Sequence, residues 1–356
     1  MCRTIPDVNG PISNFSQPSA SLDIIGAMKK LLLVTAAVFA FAAAPTYKVV
    51  GKIKVGGATR WDYAYVDSAN HRLYVSHQTQ TEVIDTATDK VVGTIPDTKG
   101  VHGIAIAADL GKGFTSDGGD NDVTVFDIKT LKVLSKVKTG QNPDSIIYEP
   151  VTHRVFTFNG RSSDATAIDA KTGDVITASI PLGGKPEFSQ VDGKGHIYAN
   201  IEDKNEIVEV DAKNSLVSKR YSIAPCDGPS GLAIDPKKII LYSVCGNKMM
   251  VVSNPATGKV LATPAIGSGV DGVAFDDGYA FSANGNDSNI TMVDDKFEVV
   301  ATIPSQRGAR TVAADQKAHK LYLPAAEFGP PAADKDGKKG RPQAIPDSFQ
   351  IVIVGR

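Results

Sequence analysis

Seven short stretches carry the side chains best suited to chemistry. They are Trp61-Asp62, His102-Gly103, Pro143-Asp144, Pro186-Glu187, Ser230-Gly231, Asp271-Gly272 and Arg310-Thr311. Each stands just ahead of a run with a small or apolar residue at Ala64, Ala105, Ile146, Ser189, Ala233, Ala274 or Ala313. Farther along the same units come His77, Asp117, Asn159 and Asn284, while Arg60, Lys185 and Arg307 flank the set. If the units are arranged around one axis, two histidines, four carboxylates and several cations converge at one mouth.

Two chemistries fit that mixture. As a binding site, Arg60, Arg310, Lys185 and the nearby Arg307 clamp an anionic group, Trp61 stacks on a flat or apolar portion, and His102 or Asp271 reads polar substituents. As a metal site, His102 and His77 join Asp144, Glu187 or Asp271 around a divalent transition metal, since imidazole with carboxylates suits zinc, iron or manganese. Metal-activated water would then hydrolyse a lactone or ester. Ligands on different units must still reach within about 2 Å of one ion, which is a demanding condition. Bland roles stand beside these: Trp61 as a channel plug, and Asp62, Asp144 and Glu187 as rim partners of Arg60 or Lys185.

The elements that would position these residues are repeats. An aromatic residue recurs at Tyr74, Phe114, Phe156, Tyr198, Tyr242, Phe281 and Tyr322, at spacings of 40, 42, 42, 44, 39 and 41. Each lies in a strand-like run followed by a polar loop, a second run ending in Asp85, Asp127, Asp169, Asp211, Asn254 or Asp294, a turn, and a third run such as Lys90-Val91-Val92. Seven strand-rich repeats of about forty residues predict an all-β, seven-bladed β-propeller. The blades fall near 59–95, 101–138, 142–180, 185–223, 229–266, 270–303 and 309–355. Lys48 to Gly56 matches an outer-strand run with no inner strands before it, so it is expected to complete the last blade, supplying strand 47–55 and closing the ring. The acids before the turns are expected to bond turn backbone, and His71, His153, His319 and His196 read as turn residues. Glu327 to Ser348, rich in Pro and Gly, reads as an insertion between the second and third strands of blade seven.

Met28-Lys29-Lys30, the apolar run Leu31 to Phe41 and Ala42-Ala43-Ala44 read as a signal peptide over 28–42, with 1–27 a spurious upstream extension and 43–356 the propeller. The mature chain is therefore expected in a bacterial periplasm or secreted, without a transmembrane segment and as a monomer. Loss of Cys2 leaves Cys226 and Cys245, which the repeat alignment brings to one face, so a disulfide is expected. Net charge is -1 over 356 residues, and Trp61 is the only tryptophan, which disfavours a nucleic-acid groove lined with aromatics. Nucleophile-elbow, phosphate-loop and His-Glu-x-x-His motifs are absent from the sequence.

With Leu-Tyr-Val-Ser at 73–76 and Val-Ile-Asp-Thr-Ala-Thr at 83–88, the chain resembles the YVTN-repeat β-propellers and, among them, the YncE-like exported bacterial proteins. That resemblance implies a seven-bladed, exported protein without implying a reaction. One branch of the family is associated with single-stranded DNA, and the repeats also resemble those of seven-bladed lactonases. The expected partner is a small-molecule ligand or an exported protein. Ligand binding, hydrolysis and a protein-interaction scaffold all remain open at this level.

Overall fold

The computed structural model describes residues 44–331 and 342–356. The expected leader at 28–42, the stretch 1–27 and the charged run 335–341 lie outside the described residues.

Alternation of apolar and polar residues gives seven separate four-stranded antiparallel sheets, the blades of a propeller. Inner strands run Ala64–Asp67, Val101–Ala107, Pro143–Glu149, Pro186–Val191, Pro229–Asp235, Val270–Asp276 and Ala313–Asp315. In six blades the remaining strands follow in chain order, and in the seventh the outermost position belongs to Lys48–Lys54. That strand pairs antiparallel with Gln350–Gly355, Ile53 opposite Ile351, so the expected closure is present.

The seven aromatic anchors are all buried, each as the third residue of a second strand. They pack between neighbouring blades, as where the ring of Tyr74 lies 5.9 Å from that of Phe126 in the next blade. Turn acids behave as their spacing predicts: Asp85 accepts from the backbone N–H groups of Ala87 and Thr88, and Asp127, Asp169 and Asp211 repeat the device. His71, His153 and His319 occupy the left-handed turn position, with φ of 52°, 53° and 52°. His196 does not; it begins the strand His196–Ile201, and Gly195 takes the turn conformation at φ 96°. Cys226 and Cys245 form the expected disulfide. Their separation of 19 residues corresponds to about 3 kcal/mol of loop-closure entropy. Among the described residues no helix is long and apolar enough to cross a membrane.

Register shows where the small-residue alignment slips. Opposite the aromatic anchors stand Tyr65, Ala105, Ile147, Gln190, Ala233, Ala274 and Ala313, so blades one, three and four are offset by one from the positions read in the sequence. In those three blades residue type favours a small or apolar neighbour over the residue that faces the anchor, and a bulge is a separate feature of the inner strands. In blades two to six the ladder between inner and second strands shifts near the start of the inner strand, between Val101 and Ile104, Pro143 and Ile146, Pro186 and Ser189, Pro229 and Leu232, and Val270 and Gly272.

Closure can be tested on its buried and exposed faces. Ile53 is 4% exposed and Val50 49%. Ile53→Ala should lower unfolding free energy in urea by about 2–5 kcal/mol, whereas Val50→Ala should change it by about 0.5 kcal/mol or less.

Candidate functional site

Counting back three residues from the position opposite each anchor gives one residue per blade: Asp62, His102, Asp144, Glu187, Ser230, Asp271 and Arg310. In blades two to six this residue sits in the bulge. A bulge leaves backbone groups without ladder partners and re-aims a side chain, here toward the mouth. Hydroxyl and amide side chains satisfy those groups. Asp62 N–H donates to Ser76 Oγ at 2.8 Å, and Gly103 N–H to Ser116 Oγ at 2.9 Å. The Ser116 hydroxyl in turn donates to the Asp144 carbonyl. Asn200 Nδ2 donates to the Ser230 and Gly231 carbonyls, and Thr311 Oγ1 to the Asp62 carbonyl at 2.7 Å. Glycine is needed at 231 and 272, where a Cβ would come within 2.8 Å of the backbone of the following blade.

The ring is joined by ion pairs across blades. His102 Nδ1 lies 2.6 Å from Asp62 Oδ2 and 3.7 Å from Asp144 Oδ1, spanning blades one to three. Arg310 spans blades six, seven and one: Nε donates to Asp271 Oδ2 at 2.6 Å, and one terminal nitrogen lies 3.4 Å from Asp62 Oδ1. Lys185 Nζ is held between Glu187 at 2.7 Å and Glu202 at 2.5 Å. Asp62, Asp144, Glu187, Asp271 and Glu202 thus face three cations, each already held by two carboxylates.

That imbalance shows in the proton affinities. Burial pushes Asp144 up to about 7, with His102 opposing and Asp62 and Asp271 adding to the rise. Burial and the charge of Asp144 push Glu187 up to about 8, against the pull of Lys185. Burial and the charge of Asp62 raise Asp271, with Arg310 opposing. Burial acts to lower His102, but its bond to Asp62 and the fields of Asp144, Asp62 and Glu187 prevail and hold it up at about 9.

One residue after Asp62 and Glu187, Tyr63 of blade one meets Phe188 of blade four, ring centroids 4.7 Å apart, joining two blades that are not neighbours in the ring. Trp61 does not plug the channel. Trp61 stacks on Phe349 at 5.5 Å, with the Arg310 guanidinium 5.8 Å from its ring centre. A cleft of about 640 Å³ is walled by Arg60, Trp61, Asp62, His102 and Arg310 together with Phe328 from the described part of the insertion.

Several sequence candidates stand elsewhere. His77 ends a second strand, is buried, and stacks on Phe349 at 4.4 Å; Nδ1 faces Glu82 at 2.7 Å and Nε2 the Ala58 carbonyl at 2.6 Å. Both ring nitrogens are engaged, so it cannot join His102 as a ligand without giving up these bonds. Asp117, Asn159 and Asn284 likewise end second strands and bond third-strand side chains. Arg60 is exposed on the cleft wall, and exposed Arg307 is not among the residues that line it. Asp62, read from the sequence as a rim partner, is instead central, and Glu202, Tyr63, Phe188 and Phe349 were missed as site residues. The signal for Asp62 was its equivalence to His102 once both are counted back from the residue opposite the aromatic anchor.

No protein-family model matches the chain, and no curated protein sequence matches it. Solved structures do match in shape. A chain of Kuenenia stuttgartiensis hydrazine synthase aligns at 17% identity and TM-score 0.65, over 76% of this chain and 94% of that one. The structure of U3-55K aligns at 8% identity and TM-score 0.70, over 87% of this chain and 99% of the other. Both likenesses show the propeller fold alone.

The strand-end position supplies a pH test. At Asn159 and Asn284 the amide donates to the third strand, to Asp164 and Thr166 or to Asn289 and Thr291. Asp117 occupies the same place beside Asp122, whose Oδ1 has no hydrogen-bond partner, and burial pushes Asp117 up to about 7 against bonds from Thr124 and Thr115. An acid raised by folding binds its proton more tightly folded than unfolded, so its contribution to stability falls as pH climbs from about 4 toward 7. Asp117→Asn should remove that dependence and stabilise the protein at pH 8 by about 1 kcal/mol. Thermal melts at pH 4 and pH 8 check it, with the gain confined to the higher pH.

Proposed function

We propose that the chain is a YncE-like exported propeller, placed in the periplasm, whose mouth binds a small ligand through a cationic group. The charge balance of the ring carries this reading. An anionic ligand clamped by Arg310 and Lys185, as the sequence suggests, would have to displace carboxylates already bonded at 2.5–2.7 Å. Arg60, on the outer wall, has no such partner among the described residues and could meet an anionic substituent, but the floor favours positive charge. Asp144 and Glu187 stand adjacent in the ring with raised proton affinities, so a bound cation would take over the work that protons do there.

A thermal-shift comparison of putrescine with citrate at pH 8 tests the sign of the ligand. Putrescine should raise Tm, and Glu187→Gln should weaken that effect at least tenfold in concentration. Stabilisation by citrate that disappears in Arg310→Gln, with no response to putrescine, would restore the anionic reading.

Metal-assisted hydrolysis of a lactone or ester at the same mouth is the second reading. It is supported by the grouping of Asp62, His102 and Asp144, their ligand atoms within 4.8 Å of one another, with Asp62 and His102 lining the cleft. Turnover in a lactone and ester screen that is lost in His102→Gln would favour it over binding alone.

A further inference from the structure

We infer that Asp62, His102 and Asp144 form a binding site for one divalent transition metal at the mouth of the channel. This deepens the cation reading of the same mouth and rests on it. The three side chains come from three consecutive blades and present one nitrogen and two carboxylate oxygens within 4.8 Å of one another. His102 points Nδ1 at both acids, 2.6 Å from Asp62 Oδ2 and 3.7 Å from Asp144 Oδ1. Ligand atoms around an ion bonded at about 2.0–2.2 Å stand roughly 3–3.5 Å apart, so modest side-chain shifts close the set. The metal would take the place of the hydrogen bond between His102 and Asp62.

An independent observation points to a missing ligand. Asp144 is 9% exposed, and its Oδ1, the oxygen turned toward His102, is buried without any hydrogen-bond partner. A buried carboxylate oxygen left without a donor is costly, and a cation satisfies it.

The surroundings resemble an outer shell. Arg310 lies on the other oxygen of Asp62, at 3.4 Å, fixing the plane of that carboxylate while leaving Oδ2 for the ion. Backbone at Asp62 is tied by Ser76 and Thr311, and the Asp144 carbonyl by Ser116. The imidazole is held on its far side, where a Cβ on Gly118 would come within 2.8 Å of His102 Nε2. One imidazole with two carboxylates selects zinc, manganese, iron or cobalt over calcium, and three protein ligands leave positions open toward the cleft.

Cobalt(II) alone is a suitable probe, because its visible absorption reports nitrogen and oxygen coordination. Titration of the purified full chain should saturate at one equivalent. His102→Gln and Asp144→Asn should each weaken binding at least tenfold and change the visible spectrum, while His153→Gln, in a distant turn, should leave both unchanged. If His102→Gln fails to fold, Asp144→Asn decides alone. Binding that survives Asp144→Asn or His102→Gln unchanged, or no saturable binding up to millimolar cobalt, would overturn the metal site. Parallel melts with putrescine separate the two levels. A putrescine response without cobalt binding removes the metal and keeps the cationic mouth; loss of both removes the two together.

Discussion

Everything at the mouth depends on a pairing between strands about three hundred residues apart in the chain, Lys48–Lys54 against Gln350–Gly355. Without it the seventh blade lacks its outer strand and leaves a sheet edge unpaired. With it, seven blades share one axis, and equivalent positions in successive repeats become neighbours. Residues some forty positions apart, which no local pattern could associate, are thereby held within hydrogen-bond distance. His102 beside Asp62 and Arg310 beside Asp271 are contacts of this kind.

The same convergence imposes an electrostatic difficulty. A position that is acidic in four of seven blades packs four carboxylates around one narrow opening, where low polarity strengthens their repulsion. Two devices contain it. Cations inserted at blades two and seven, with Lys185 beside blade four, each bridge a pair of acids. Burial together with the remaining repulsion appears as the raised proton affinities of Asp144 and Glu187. A mouth so arranged is held together by its mixture of charges, five carboxylates interleaved with three cations.

The repeat unit, the closing strand, the turn acids and the disulfide were legible because each is written in local residue types with a physical reason for their spacing. Tyr74, Phe114 and their counterparts recur because every interblade seam needs the same large ring. Mouth residues were legible only as pairs. Residue type favoured Ala64, Ile146 and Ser189 over their neighbours Tyr65, Ile147 and Gln190, which are the residues that face the anchors, so three blades were misplaced by one. The alignment therefore placed Trp61 in the channel, although it wedges against Phe349, and obscured the contact of Tyr63 with Phe188 between blades that are not neighbours. His77 looked like a ligand because it follows a strand, yet its companions Asp117, Asn159 and Asn284 are strand-end polar groups, and Glu82 and the Ala58 carbonyl give it the same structural duty.

Trp61 rests on Phe349, a residue 288 positions later in the chain. One wall of the cleft is therefore absent from any partially synthesised chain that stops short of the last blade. Long-range contacts of this kind form late, because loop closure must precede their reward. A complete cleft wall consequently requires closure of the ring, and the fluorescence of Trp61, packed on Phe349, can report that closure in a refolding sample rather than formation of individual blades.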